Sequence, residues 1–280
     1  MIRNLETVSV EELHDAFVDA FSNYESKMDL SVKQLSEMLT TRSYNAKFSR
    51  GFFDNGHLVG FLLVGYRVID GVTYFYDTAT GTRQNYQKQG IGDALLKEIK
   101  NEMKIDGIDT FVLEVLEHNV AAQELYKKNG FIIKRKLNCF TYTIEDKDDF
   151  KTIEIDYRIN HAECADVKSY CSFEPSWQNS NISYNNSKEL NTKIDYYYRN
   201  KMIGYLICNK ESGNIMQLGL DKEYRTIEIL ANILNHIKVN HGIKKIKLLN
   251  IEDGSGIDTL LHQFGFNNFI NQYEMELVIK

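Results

Sequence analysis

The sequence predicts an α/β protein of two tandem units, each a twisted mixed β-sheet flanked by helices, over residues 1–147 and 148–280. Three observations predict it. Hairpin-spaced strands between Phe48 and Asp77 lead into a glycine loop, a helix and one apolar strand, the succession that makes a mixed sheet. The same succession returns in the second half, where Leu113 to Phe131 aligns without a gap to Leu248 to Phe266. At 280 residues the chain is long for one domain and comfortable for two that each bury a core.

Taken in order, Ser9-Val10-Glu11-Glu12 reads as a capping box opening a helix whose Leu13, Phe17 and Phe21 share a face. Ser31-Val32-Lys33-Gln34 opens a second, carrying Leu35, Met38 and Leu39 to a stop near Thr41. Phe48 to Phe53 and Leu58 to Tyr66 are strands joined through Asp54-Asn55-Gly56, and Asp70-Gly71 turns the chain into Val72 to Asp77. Leu95, Leu96, Ile99 and Met103 then repeat at helical spacing up to Gly107, a left-handed cap. Phe111 to Val115 is a central strand parallel to the one before it. Asn119 opens a short helix through Ala122, Leu125 and Tyr126 that Asn129-Gly130 closes, and Phe131 to Ile133 and Phe140 to Ile144 continue the sheet.

The charged run Glu145-Asp146-Lys147-Asp148-Asp149 reads as a linker. Beyond it, residues 152–157 read as a strand, 162–170 as a short helix and 178–187 as a polar loop without a period. Trp177 is either a loop anchor packed on the core or a pocket wall.

Composition narrows the function. A net charge of -6 argues against nucleic-acid or anionic-membrane surfaces and suits a cationic, amine-bearing acceptor. No apolar run reaches the roughly 18 residues of a membrane span, and no basic-then-apolar leader opens the chain, so a cytoplasmic protein is expected. The abundance of Ile, Lys, Asn and Tyr suggests an AT-rich bacterial source. Cys139, Cys164, Cys171 and Cys208 follow no metal or disulfide spacing, the histidines form no zinc-type cluster, and no metal is expected.

The chemistry gathers at Gln87-Lys88-Gln89-Gly90-Ile91-Gly92 and the following Asp93. Two glycines let the backbone turn and approach a ligand, and a helix start offers unpaired N–H groups and partial positive charge, a fitting seat for a diphosphate. A dinucleotide fingerprint is excluded by the missing third glycine and by the antiparallel strands upstream. A nucleoside-triphosphate loop is excluded because no Gly-Lys-Ser/Thr follows.

The hexapeptide resembles the Arg/Gln-x-x-Gly-x-Gly/Ala signature of the GNAT superfamily of N-acetyltransferases. Leu113-Glu114-Val115, Asn119, Leu125-Tyr126 and Gly130-Phe131 stand at the spacings that superfamily shows after its cradle. The resemblance covers the first half well and the second faintly. It implies acetyl-CoA as cosubstrate, its diphosphate on the amides of Gln87 to Asp93, and direct acetyl transfer to a small-molecule or peptide amine in a ternary complex. It also implies that Tyr126 stands beside the thioester sulfur, that the Leu116 N–H polarises the thioester carbonyl, and that Asn119 touches the pantetheine arm, unless helix capping is its whole role. An alkylammonium has a pKa near 10.4, so a base is needed; Asp77, Glu114, and Glu117 and His118 in the turn beyond are candidates, with Asp77 preferred over Glu114, and either of these two is also readable in a structural ion pair or turn role. A non-catalytic protein that holds CoA or a partner on the same scaffold is the alternative.

In the repeat, Glu228 replaces Gly90, Leu230 replaces Gly92, Gly254 replaces Asn119 and Leu261 replaces Tyr126. The second unit is therefore expected to be a degenerate copy that does not bind CoA and serves a structural or substrate-shaping role.

Overall fold

Two hairpin turns set the register of the first sheet. Asn55 and Gly56 take φ of 46° and 85°, and Asp70 and Gly71 take 50° and 80°, paired left-handed residues of the kind a two-residue hairpin turn needs. They join β2 (Arg50–Asp54) to β3 (His57–Ile69), and β3 to β4 (Val72–Thr82), in the computed structural model, which describes residues 1–23, 30–145, 153–160 and 169–279. A short strand that the sequence did not announce, β1 (Ile2–Asn4), pairs antiparallel with β2.

Helices α1 (Val10–Phe21) and α2 (Val32–Thr41) begin at Ser9 and Ser31. The Ser31 box is reciprocal, with Gln34 returning the bond to the Ser31 N–H at 2.9 Å. Leu13, Phe17 and Phe21 of α1 and Leu35 and Leu39 of α2 bury against Phe61 and Leu63 of β3. Each such side chain contributes roughly 1.5–3 kcal/mol on leaving water. Helix α3 (Ile91–Asp106) buries Leu95, Leu96, Ile99 and Met103 and ends at Gly107 with φ 66°. After it come β5 (Thr110–Leu116), α4 (Val120–Lys128) and β6 (Ile132–Thr143).

The second half holds β7 (Asp156–Asn160), a helix of one turn, α5 (Asn181–Asn185), then β8 (Asn191–Tyr198), β9 (Lys201–Asn209), β10 (Asn214–Leu220), α6 (Ile227–His241), β11 (Lys245–Glu252), α7 (Gly256–Phe264) and β12 (Asn267–Val278). Two expectations are corrected there, and a third falls largely outside the described residues. The strand placed at 152–157 begins at Asp156, and residues 162–168 of the expected helix lie outside the described residues. The stretch read as a loop, 178–187, is a 3-10 turn at Trp177–Asn179 followed by α5. Ser180 caps α5, and the Ser183 hydroxyl returns to the Trp177 carbonyl at 2.6 Å. One helical turn held by such side-chain bonds is too short to leave an apolar period.

The chain divides into two compact units, Met1–Lys134 with Glu274–Lys280, and Arg135–Tyr273. The expected boundary at 147/148 lies outside the described residues. Observed boundaries fall inside strands because β6 is continuous. Its Phe140 to Thr143 pair antiparallel with Leu248 to Lys245 of β11, and Phe140 is buried with Ile246 and Leu248. Residues 274–279 lie in the first unit: the Ile279 N–H donates to Asp109 O at 2.9 Å, and Glu276 pairs with Lys134 at 3.2 Å.

The two units share backbone detail. Gly60 of β3 faces Thr82 of β4, and Gly204 of β9 faces Leu220 of β10. Thr78 is an extra residue between the pairs Leu63–Ala79 and Val64–Asp77; Met216 is the extra residue between Ile207–Gln217 and Cys208–Ile215. Each unit thus has a bulge at the same place in the fourth strand of its repeat.

Candidate active site

The cradle is a left-handed start to α3. Lys88 and Gly90 take φ of 60° and 80°, and Gly90, as N-cap, lends no side chain to the helix. The first helical bond is Ala94 N–H to Gly90 O, so the N–H groups of Ile91, Gly92 and Asp93 precede it. Residues 87–90 are exposed. Ile91 is buried against Gly60, where a Cβ would stand 2.5 Å from the Ile91 Cγ2, and a Cβ on Gly92 would stand 3.3 Å from Leu125 of α4. The glycines therefore serve two ends, an open φ at Gly90 and close packing at Gly92. Side chains keep off the amides: Gln87 donates to Thr82 O at 3.3 Å and Gln89 to Asn85 O at 3.2 Å. Asp93 bonds Lys97 at 2.8 Å, Asn129 at 3.0 Å and Lys128 at 3.3 Å, which hold its carboxyl well below the usual carboxylate range. Asp93 thus ties α3 to α4, and only its N–H faces the cradle's task.

Below the cradle β4 and β5 part. Their parallel pairing covers Tyr74–Tyr76 with Thr110–Val112 and ends there, although β4 runs on to Thr82 and β5 to Leu116. Asp77 is the first β4 residue past the pairing. The Tyr126 hydroxyl of α4 donates to Asp77 Oδ2 at 3.0 Å, and the Thr80 hydroxyl donates to the same oxygen at 2.7 Å. Burial pushes the Asp77 carboxyl up to about 6, opposed by the Thr80 and Tyr126 donors and by the charge of Arg42. Arg42 itself donates to the Thr78 carbonyl at 2.9 Å, fastening the bulge to the end of α2. Two of the sequence-predicted residues, Asp77 and Tyr126, therefore stand in direct contact.

Glu114 stands apart from them. It accepts a short bond from the Tyr76 hydroxyl, and strand alternation puts Tyr76 and Asp77 on opposite faces of the sheet. On the Tyr76 face Arg67 donates to Ser43 Oγ at 2.9 Å and to Thr41 O at 3.2 Å; burial lowers its guanidinium to about 10, opposed by Tyr76 and Glu114. Asn119 caps α4, accepting from the Ala122 N–H at 3.1 Å. The Leu116 carbonyl accepts from the Asn119 N–H at 3.0 Å and from Gln123 at 3.3 Å. Among the described residues no group of three His, Cys, Asp or Glu is placed to hold a metal ion.

Sequence reasoning missed Thr80, Thr78 and Arg42. Strict alternation puts residues three apart on opposite faces, so Thr80 meets Asp77 only because the bulge at Thr78 inserts a residue. Nothing in the residue pattern announces that bulge.

The second unit opens the same fork and fills it. Its parallel pairing covers Asn214 and Ile215 with Lys247 and Leu248. Past that point, Asn179 donates to Leu249 O at 2.7 Å, and Gln217 donates to Asn179 O at 2.6 Å and to Asn181 at 3.0 Å. Asn250 donates to Ser176 at 3.0 Å, and the Ile257 N–H at the start of α7 donates to Ser172 at 3.3 Å. Between these residues remains a cavity of about 20 Å³, room for a single water. At the helix start Thr226 caps α6 through the Ile229 N–H at 3.4 Å, the bond that Gly90 cannot make.

A model of the acetyltransferase (GNAT) family matches residues 10–131. Over 77 residues the chain is 36% identical to the ribosomal protein bS18 alanine N-acetyltransferase of Escherichia coli, which covers 28% of this chain and 49% of that protein. The chain thus spans about half the length of the curated relatives it matches. Along nearly its whole length it superposes on a GCN5-related N-acetyltransferase from Sphaerobacter thermophilus, with TM-score 0.72 at 12% identity over 100% of this chain and 96% of the other. It likewise superposes on a tandem GNAT protein from the clavulanic acid biosynthesis pathway, with TM-score 0.68 at 12% identity over 99% and 98%. These likenesses establish a tandem GNAT fold.

Proposed function

Residues 10–131 belong to the acetyltransferase (GNAT) family, and from that premise we propose that the chain is an acetyl-CoA-dependent N-acetyltransferase acting on a primary amine, with the first unit carrying the chemistry. The carrying observation is the Tyr126 hydroxyl on Asp77, 3.0 Å apart, at the fork below an uncapped helix start. The cradle fits the cosubstrate: N–H groups ahead of the first helical bond meet a diphosphate, and Gly90 adds no side chain in their way. Gln87 to Asp93 hold it through the backbone, with Leu116 N–H polarising the thioester carbonyl. Acetyl-CoA supplies an activated acyl group.

The residues divide the proton work. The acceptor arrives as an ammonium and loses a proton to Asp77, which is ionised at neutral pH because its carboxyl titrates at about 6. Oδ2 already carries two donors, so the open oxygen, Oδ1, takes the proton. The nitrogen then bonds to the acyl carbon and sheds its second proton to solvent, the carbon–sulfur bond breaks, and the departing thiolate takes its proton from Tyr126. Protonating Asp77 weakens its hold on the Tyr126 hydroxyl, freeing that proton at the moment the thiolate needs it, and the phenolate recovers a proton from Asp77. Glu114, held by Tyr76, serves in orientation of the acceptor from the opposite face.

The curated relative acts on an alanine of a ribosomal protein, which supports including peptide amines beside small ones as acceptors. The test is acetyl-CoA turnover against a panel of amines and alanine-ended peptides, followed by thiol release. Absence of turnover with calorimetric acetyl-CoA binding intact moves the protein to the non-catalytic reading.

A further inference from the structure

Two buried oxygens at the bulge lack a partner. Asp77 is 8% exposed and Thr78 is 5% exposed. Among the described residues neither Asp77 Oδ1 nor Thr78 Oγ1 has a hydrogen-bond partner. An orphaned buried oxygen is destabilising, and two on consecutive residues double that cost. Nothing in the backbone requires the Thr78 hydroxyl: the Thr78 carbonyl, not its side chain, takes the Arg42 bond. Valine has the same shape without the hydroxyl, so packing alone does not call for threonine.

We infer that Thr78 is a substrate-contacting residue, its hydroxyl and Asp77 Oδ1 forming a two-point receptor for the acceptor's ammonium. This rests on the transferase reading for its catalytic meaning, not for its binding meaning. The chemistry of the two atoms selects the guest. A carboxylate oxygen only accepts, so its partner must donate, and one nitrogen bearing two or more N–H groups satisfies both oxygens at once. A hydroxyl acceptor can donate to Asp77 Oδ1 and accept from the Thr78 hydroxyl, but it brings no positive charge to the carboxylate. The receptor therefore selects amines over alcohols. Tyr126 and Thr80 occupy the other carboxylate oxygen, and Arg42 grips the strand from the end of α2, so the two atoms are held while the ammonium docks. In the second unit the equivalent residues are Ile215 and Met216, which present no acceptor.

Thr78→Val and Thr78→Ser test the assignment. With the best amine of the panel, Thr78→Val raises the acceptor KM about tenfold, the loss of one charge-assisted bond, and leaves the acetyl-CoA KM unchanged. Thr78→Ser restores the parent value. The thermal midpoint of Thr78→Val stays level or rises by about 2 °C, because an orphaned hydroxyl has been removed, whereas a structural hydroxyl predicts a fall. Independently of turnover, methylammonium chloride shifts the backbone amide resonances of Thr78 and Ala79 in the parent protein and about tenfold less effectively in Thr78→Val; tetramethylammonium, which has no N–H, shifts neither. An unchanged acceptor KM, or equal responses to the two cations, overturns the receptor while turnover leaves the transferase reading standing. Methylammonium binding that depends on Thr78 without any turnover does the reverse.

Discussion

The first and second units fold the same fork and line it differently. Both place a glycine of the third strand against the end of the fourth, both bulge there, and both part from a parallel neighbour beyond a short pairing. In the first, Asp77, Thr80 and Tyr126 meet where the strands part and Glu114 lies on the other face; the second has Ile215, Leu218, Leu261 and Leu249 at the equivalent positions. In the first the helix beside it starts at an uncapped glycine, in the second at a capped threonine. The fork is therefore a property of the fold, whereas an opening able to receive a ligand is a property of a few side chains. Where those are lost, backbone groups of the parted strands still need partners, and Asn179 brings one to the Leu249 carbonyl from the same unit, while Gln217 and Asn250 bond the segment that carries it.

The largest expected effect comes from moving one residue of the second cradle into the first. Gly90→Glu places a side chain at φ 80° and a carboxylate where a diphosphate is to sit. Calorimetry of acetyl-CoA should show binding weakened at least about a hundredfold. The converse change, Glu228→Gly, should create no second site, because Thr226 still caps and the fork is still filled. Two sites in the parent protein would break the comparison outright.

Next in size are the proton groups. Tyr126→Phe should lower kcat by about 10²-fold with the acetyl-CoA dissociation constant within twofold, and Asp77→Asn should act similarly. Because the two share one bond, the double variant should be little worse than either, a non-additivity read from single-turnover rates. Glu114→Gln, on the other face, should cost less than about tenfold. A larger loss there than in Asp77→Asn would move the base to Glu114.

A smaller effect, on stability, probes the filled fork. Asn179→Ala leaves the Leu249 carbonyl without its donor; roughly 1–3 kcal/mol should be lost, seen as a fall of a few degrees in thermal midpoint.

The finest comparison is in pH. With Asp77 titrating at about 6, kcat/KM should climb through pH 6 and level above 7, and Tyr126→Phe, which removes a donor, should move that limb upward. The sign for stability is opposite. A carboxyl raised above its unfolded value binds more protons in the folded state between about pH 4 and 6, so its cost grows across that window and is complete above it. Asp77→Asn should therefore stabilise the protein by about 3 kcal/mol at pH 7.5 and by little at pH 4, in chemical denaturation. Activity and stability thus pull apart at this one residue.

Much of this was legible from residues alone, for local reasons. The Asp54-Asn55-Gly56 and Asp70-Gly71 turns, the Ser31 box and the Gly90 cradle are encoded within a few residues, and all take the conformations their residue types favour. The replacement of Gly90 by Glu228 in the repeat was equally plain. What was not legible depends on counting across strands. Pairing Asp77 with Thr80 needs a bulge that the pattern does not display, and the choice between Asp77 and Glu114 turns on which face meets α4. The path of β6 was hidden too, since Phe140 and Ile144 are apolar enough for either sheet.

The residence of Glu274–Lys280 in the first unit has a consequence in time. A chain is translated at about 5–20 residues per second, so on the order of ten seconds separates the emergence of β5 from that of the β12 residues that lie beside it. Until then the edge of β5 is a row of unsatisfied N–H and C=O groups, open to the wrong partner. A ribosome that stalls anywhere in the second half releases a fork without its neighbouring strand. Synthesis of the second unit is thereby made a precondition for finishing the first.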